Sequence, residues 1–289
     1  MTDNGARMRE ARGAGGARIV YRVAGPPAAR PLLLVHGWAQ SGRCWDAAVT
    51  AGLADSHRVI AVDLRGHGDS DAPAAGYDDP AAWAGDLRAV LAAESIGPGA
   101  GAVLVGWSYG GLVCADLLAS DPDPVADGTV AALVLVGAIT ALGRGRAGGR
   151  VGPAMRAALP AALSADPAEA VPALTGFIDS FHADGAQAQA LLGTALATPP
   201  RVRAALFARQ TDHDELLAAL SIPALIVHAG DDEVVDPSAG AHAAALIPGA
   251  HRPDWPTGGH APFIADPDRF VAALTGFLAD LPVREAHHG

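Results

Sequence analysis

The stretch Ala102-Val103-Leu104-Val105-Gly106-Trp107-Ser108-Tyr109-Gly110-Gly111 runs from β-favouring apolar residues into a Gly-x-Ser-x-Gly pentapeptide, and an apolar helical pattern follows at once. Strand, tight turn and helix in that order is the setting that lifts a serine out as a nucleophile. Such a turn needs residues without bulk two places before and two places after the serine, because strand and helix backbones converge there. Gly106 and Gly110 supply them. In a chain with 35 glycines the pentapeptide alone says little, and its flanks make it informative.

Working outward, further short apolar runs lie at Arg18–Val23, Pro31–Val35, Arg58–Leu64, Val130–Val136 and Pro223–His228. Most are continuously apolar, as strands covered on both faces are. Helical patterns fall between them, around Cys44–Asp55, Pro80–Glu94, Gly110–Ser120 and Ser238–Leu246, with a last one at Pro267–Leu281. The alternation predicts an α/β chain with a largely parallel sheet. Asp79-Pro80 and Asp266-Pro267 place a capping carboxylate before a helix-starting proline. From Ala138 to about Leu220 no strand-like run occurs, and Ala/Leu periodicity broken by Gly and Pro predicts helices at Val151–Leu163, Glu169–Phe181, Ala186–Leu196 and Arg201–Leu220. An interval that long is not a bare loop, so residues 138–220 read as a helical cap between the two parts of a core, 1–137 and 221–289. Met1–Arg18 is rich in Gly and Arg, lacks the apolar stretch of a signal peptide, and reads as a frayed leader.

Composition narrows the chemistry. All 20 basic residues of the 289 are arginines, which removes Schiff-base lysines, pyridoxal phosphate anchors, Walker-type phosphate loops and Ser-Lys dyads. The 31 acids give a formal charge of −11, which repels nucleic acid and anionic membrane surfaces, so neither is expected as a partner. The longest apolar or small stretch, Val130–Gly143, is short of the roughly 20 residues of a membrane span. Cys44 and Cys114 form no C-x-x-C pair and read as buried apolar side chains in a reducing compartment, with a cytoplasmic location expected. No H-x-x-x-H or H-E-x-x-H spacing suggests a metal, and no cofactor is expected.

Two more motifs fit around Ser108. Pro31-Leu32-Leu33-Leu34-Val35-His36-Gly37-Trp38 is a buried strand ending in a loop that can aim an N–H at the nucleophile. Acyl transfer needs two such donors for the oxyanion, here the backbone N–H groups of Trp38 and Tyr109. His36 itself reads as structural. Downstream, a strand ends in the acidic turn Gly230-Asp231-Asp232-Glu233-Val234-Val235-Asp236-Pro237, and Thr257-Gly258-Gly259-His260-Ala261-Pro262-Phe263 presents a glycine-flanked histidine. Serine, acid (Asp231 or Asp232) and His260 then occur in the order expected of a triad on an open α/β sheet. His182, His213, His242, His251, His287 and His288 lie in no such motif.

These motifs, with Asp63-Leu64-Arg65-Gly66-His67-Gly68-Asp69-Ser70, make the sequence similar to the α/β-hydrolase fold superfamily, in its esterase and non-haem chloroperoxidase-like group. Some motifs are also similar to those of pimeloyl-carrier-protein methyl ester carboxylesterases. The resemblance spans about Ile19–Leu281 apart from the cap. It implies a mostly parallel eight-stranded sheet with helices on both faces and a helical cap. It also implies a Ser108, Asp232, His260 triad, with Asp232 preferred to Asp231 because Asp232-Glu233-Val234-Val235 matches the family register. His67 belongs to a structural loop motif and Asp236 to a turn. A serine argues against the epoxide hydrolase and haloalkane dehalogenase branches, whose nucleophile is a carboxylate.

Trp38, Trp107, Tyr109 and Phe263 flank these residues and are expected to line an apolar substrate pocket, with Trp107 alternatively facing the core. The expected function is hydrolysis of small to medium apolar carboxylic esters, lactones included, with a small ester-like molecule as partner. C–C bond hydrolysis or perhydrolysis would use the same triad. A ligand-binding protein without turnover is the reading from a different class.

Overall fold

Seven strands, β1 (Arg7–Arg12), β2 (Arg18–Ala24), β3 (Pro31–Val35), β4 (Arg58–Val62), β5 (Ala102–Trp107), β6 (Val130–Val136) and β9 (Ala224–Val227), form one sheet in the order β1-β2-β4-β3-β5-β6-β9. β1-β2 and β2-β4 pair antiparallel, and β4-β3-β5-β6-β9 are parallel. The computed structural model describes residues 6–281, so Met1–Gly5 of the expected leader and His287 and His288 lie outside the described residues. Every residue of β3, β5 and β9 is buried, which is why their runs carry no polar alternation.

Helical segments connect the strands. Gly42–Trp45 is a 3₁₀ turn leading into α1 (Asp46–Ala48), a wide turn over Val49–Leu53 and α2 (Ala54–Ser56). The others in and around the sheet are α3 (Pro80–Ala93), α4 (Tyr109–Leu118), α9 (Asp214–Ala218), α10 (Pro237–Leu246), α11 (Pro262–Ala265) and α12 (Pro267–Ala279). α3 packs on α4, and α1 packs on α11 and α12, so two helical groups flank the sheet. The Asp-Pro start recurs: Asp79, Asp166, Asp236 and Asp266 each precede a proline and accept a backbone N–H from the first turn. Between β6 and β9 the chain builds α5 (Pro153–Ala162), α6 (Pro167–Asp179), α7 (Gly185–Ala197) and α8 (Pro200–Ala208). The expected helix over 201–220 is instead α8, β8 (Thr211–Asp212) and α9. β8 pairs antiparallel with β7 (Ala141–Leu142), joining the two ends of the insertion.

Two expectations are corrected. The main sheet has no eighth strand among the described residues, because beyond β9 only His251 bridges to it, parallel to Leu225, while Val235 bridges to Val151 of the insertion. Pro253 and Pro256 follow His251 closely and cannot donate to a ladder. The second is the frayed leader, whose Arg7–Arg12 is the edge strand β1, paired residue for residue from Arg7↔Val23 to Arg12↔Arg18. Only Ala11 of β1 is buried, so Arg-Met-Arg-Glu-Ala-Arg has no apolar signature, and its charges suit an edge that must not pair further. Among the described residues no helix is long and apolar enough to cross a membrane. Cys44 and Cys114 are free and buried, and burial pushes both thiols up, away from the reactive thiolate.

The edge is fastened by Glu94, at the end of α3. Its buried carboxylate accepts from Arg9 Nη1 at 3.0 Å, from Tyr21 OH at 2.8 Å and from Arg58 Nη2, joining β1, β2 and β4 to α3. Burial and the adjacent carboxylate raise the Tyr21 phenol well above its usual range, keeping it a donor. Removing the acceptor leaves buried donors without a partner. Glu94→Ala is expected to lower the unfolding free energy by roughly 3 kcal/mol. Glu10→Ala, which breaks only the exposed contact to Arg18, should change it by less than about 1 kcal/mol. Urea midpoints of the two variants decide this.

Candidate active site

At the junction of β5 and α4 there is no room for a side chain beside Ser108. A Cβ on Gly110 would lie 2.2 Å from the Val35 carbonyl oxygen, and one on Gly106 2.7 Å from that of Gly110. Ser108 therefore turns at φ 54°, ψ −121°, a strained backbone for a non-glycine residue. Its N–H donates to Val136 O at 3.0 Å, and its carbonyl accepts from Gly111 N at 3.0 Å and Ile139 N at 3.1 Å. Gly37 stands opposite, where a Cβ would approach Ser108 Cβ to 2.8 Å and Oγ to 3.3 Å. Ser108 is 7% exposed.

The acidic turn after β9 and the loop before α11 meet under this elbow. His260 Nδ1 lies 2.9 Å from Asp232 Oδ2, while Asp232 Oδ1 accepts Val234 N–H at 2.8 Å and Val235 N–H at 3.0 Å. Burial alone would raise the Asp232 carboxyl. Electrostatic pairing with His260 and the hydrogen bonds of His228 and His260 outweigh it and hold the group well below the usual carboxylate range. Asp231 does different work, accepting Gly259 N–H at 2.9 Å and so shaping the loop that carries His260. The ionised acid makes Nδ1 the protonated nitrogen of neutral His260, leaving Nε2 with its lone pair. Nε2 is buried and has no hydrogen-bond partner, Ser108 Oγ included.

Around Ser108 the first loop is set by two histidines. His36 Nδ1 donates to Gly37 O at 2.7 Å while Nε2 accepts Leu64 N–H at 3.0 Å. His67 Nδ1 donates to Arg65 O at 3.0 Å while Nε2 accepts the N–H of Ala39, itself at φ 55°. Both are the structural rings their motifs predict. The Trp38 and Tyr109 backbone N–H groups donate to no protein acceptor among the described residues.

The four aromatic side chains expected at the pocket are engaged as follows. Trp38 Nε1 donates to Arg203 O at 3.0 Å, and its ring meets Phe177 and Phe207 of the insertion edge-on. Trp107 faces inward, its Nε1 donating to His260 O at 2.8 Å and its ring beside His260, Phe181 and Phe263. Phe263 is fully buried and stacked on Trp45, so its ring belongs to the core. Tyr109 is buried against Trp83, with its OH between Leu206 O and Arg209.

Residues 32–273 match the alpha/beta hydrolase family. The chain belongs to that family. It is 32% identical to a pimeloyl-[acyl-carrier protein] methyl ester esterase of Xanthomonas campestris, over 87% of this chain and 96% of the relative. It is also 32% identical to a non-heme chloroperoxidase of Burkholderia pyrrocinia, over 75% of this chain and 80% of the relative. Among solved structures, an esterase from a Rhodococcus species superposes with a TM-score of 0.90 at 53% identity, covering 95% of this chain and 99% of the other.

In this hydrolase three contributors escaped the motif reading. His228 lies 3.2 Å from Asp232 Oδ2, and its position four residues upstream of the acid was the available signal. Ser180, in the insertion, accepts His260 N–H at 3.0 Å. Arg209 binds Asp116 through both carboxylate oxygens, at 2.9 and 3.0 Å, and His213 adds a contact at 3.1 Å. Neither Ser180 nor Arg209 belongs to a spaced motif, so no sequence signal marks them.

Burial lowers the His36 pKa to about 4 and that of His67 to about 3, from 6.5. The folded protein keeps both neutral where the unfolded chain takes up protons, so stability is full above about pH 6.5 and declines as pH falls from there toward 4 and 3. Each ring should contribute up to about 1.4 kcal/mol per pH unit in that window. Denaturation midpoints between pH 8 and pH 4 should fall on acidification, and less steeply in His67→Gln, whose amide oxygen can still accept from Ala39. An identical slope in that variant contradicts the assignment.

Proposed function

We propose that the protein is a carboxylic ester hydrolase that works through an acyl-enzyme on Ser108. The observation that carries this reading is the state of His260: Nδ1 committed to Asp232 and Nε2 buried and unpartnered, on a loop whose carbonyl accepts from Trp107, the neighbour of a serine held at positive φ. The 53% identical esterase supports the same reaction class. Ser108 Oγ attacks the acyl carbon while His260 Nε2 takes its proton. The Trp38 and Tyr109 N–H groups receive the oxyanion. The C–O bond to the alcohol then breaks, and His260 returns the proton to the departing oxygen. Water, deprotonated by His260, attacks the acyl-serine, and the carboxylic acid leaves as Ser108 regains its proton. Asp232 holds the imidazole tautomer and stabilises the imidazolium throughout.

Apolar acyl or alcohol groups of small to medium size suit the site, since Trp38 meets the insertion at Phe177 and Phe207. The 32% identical non-heme chloroperoxidase favours one second reading, in which hydrogen peroxide replaces water and the product is a peracid.

With p-nitrophenyl acyl esters, Ser108→Ala and His260→Ala should lower kcat by about 10⁴-fold or more, and Asp232→Asn by about 10³- to 10⁴-fold. A fluorophosphonate should add its mass to Ser108 in the wild type and not in Ser108→Ala. A wild type with neither turnover nor adduct contradicts the reading.

A further inference from the structure

The acid of this site serves two imidazoles. Asp232 Oδ2 lies 2.9 Å from His260 Nδ1 and 3.2 Å from His228 Nε2, and both rings are buried. The second contact has a defined direction. His228 Nε2 is also 3.1 Å from the Val235 carbonyl oxygen, so it faces two atoms that can only accept and must carry the hydrogen itself. Its other nitrogen, Nδ1, is buried without a partner. A hydrogen there would have no acceptor, so the ring is neutral and protonated at Nε2 only.

The place is built for an imidazole. Where α10 passes the ring it carries Gly240, and a Cβ at that position would lie 2.4 Å from His228 Nδ1. His228 extends from the end of β9, four residues before the acid it binds, so strand and turn fix both partners.

We propose that His228 is a positioning residue for the reaction, holding the Asp232 carboxylate and sharing with His260 the oxygen that orients it. The proposal rests on the ester hydrolase reading above. The shared oxygen has a consequence for the base. The His228 N–H is shared between the Val235 carbonyl at 3.1 Å and Oδ2 at 3.2 Å, so its positive end lies beside the carboxylate that faces the imidazolium forming on His260. His260 therefore holds its proton less tightly than it would with Asp232 to itself. Other groups around the pair do not replace this contact. α10 presents the Gly240 backbone to the ring. Arg252 and Asp254 line the cavity of about 320 Å³ beside His228, and Asp231 is bonded to the Gly258 and Gly259 N–H groups. From the insertion, Ser180 offers a carbonyl to His260 N, and His182 flanks Gly259.

The test is the pH dependence of kcat/KM for a p-nitrophenyl ester in wild type, His228→Leu, His228→Asn and His228→Gln, beside fluorophosphonate labelling of Ser108. Glutamine can place an N–H where Nε2 stands, whereas asparagine is too short and leucine has none. The acid limb should move to higher pH by about half a unit or more in the Leu and Asn variants and stay at the wild-type position in Gln. Asn carries the comparison if the Leu variant does not fold. An unmoved limb in Leu or Asn, or the same displacement in Gln, overturns the role of His228 while labelling of Ser108 leaves the hydrolase reading standing. Wild type that is neither labelled nor active overturns both.

Discussion

The site depends on the close approach of α4 to the end of β3. Gly110 passes so near the Val35 carbonyl that a methyl group would have to displace backbone, and Gly111 is equally confined by Ala138 and Ile139. Strand and helix can come this near only if the chain reverses within a residue or two, which drives Ser108 into a conformation costing on the order of 1–3 kcal/mol. The surroundings over-determine it: the peptide groups of Ser108 are tied to Val136, Gly111 and Ile139, and all ten residues of α4 are buried. A serine so held cannot relax when a substrate arrives, and the N–H of Tyr109 at the start of α4 points from the same rigid turn. The strain thus fixes the Ser108 hydroxyl and the Tyr109 N–H, the proposed nucleophile and oxyanion donor, as one pair.

The insertion between β6 and β9 belongs to this frame. Each catalytic segment hangs from one of its backbone carbonyls. The loop of Trp38 and Gln40 donates to Arg203 O and Leu191 O, the Tyr109 hydroxyl to Leu206 O, and the His260 N–H to Ser180 O. Arg209 then locks the return from α8 onto Asp116 of α4 by a buried bidentate pair. Such pairs add little net stability, but they specify one arrangement, because removing either partner leaves a buried charge. The insertion thus ties the loop after β3, the start of α4 and the His260 loop to one body.

Legibility followed burial and backbone demand. β3, β5, β6 and β9 were readable because strands covered on both faces must be apolar, and Ser108 was readable because only glycines fit around it. β1 was not, since an edge strand with one buried residue carries no such pattern. The missing eighth strand was hidden in two prolines whose effect appears only once His251 is seen to bridge alone. The adjacent aspartates show the same divide. Both could be acids by position, and only the fold shows that one faces the imidazole while its neighbour holds the glycines of the histidine loop. Contacts such as Ser180 to His260 use backbone atoms, which every residue has, so no side chain advertises them.

Four buried histidines surround the reaction centre, and their different tasks follow from what faces each nitrogen. His36 and His67 each place Nδ1 against a carbonyl and Nε2 against a peptide N–H. A proton added to Nε2 would collide with that donor, and burial penalises the charge as well, so both stay neutral. His228 points Nε2 at two oxygens and leaves Nδ1 against Gly240, where a second proton finds no acceptor. His260, like His228, has the Asp232 carboxylate at one nitrogen and no partner at the other, but no glycine among the described residues closes on its free Nε2 as Gly240 does on His228 Nδ1. For it, protonation at Nε2 costs no existing hydrogen bond, and the resulting charge sits beside Asp232. On the proposed mechanism three rings serve geometry while one changes its proton, and depth does not separate them, because all four are buried.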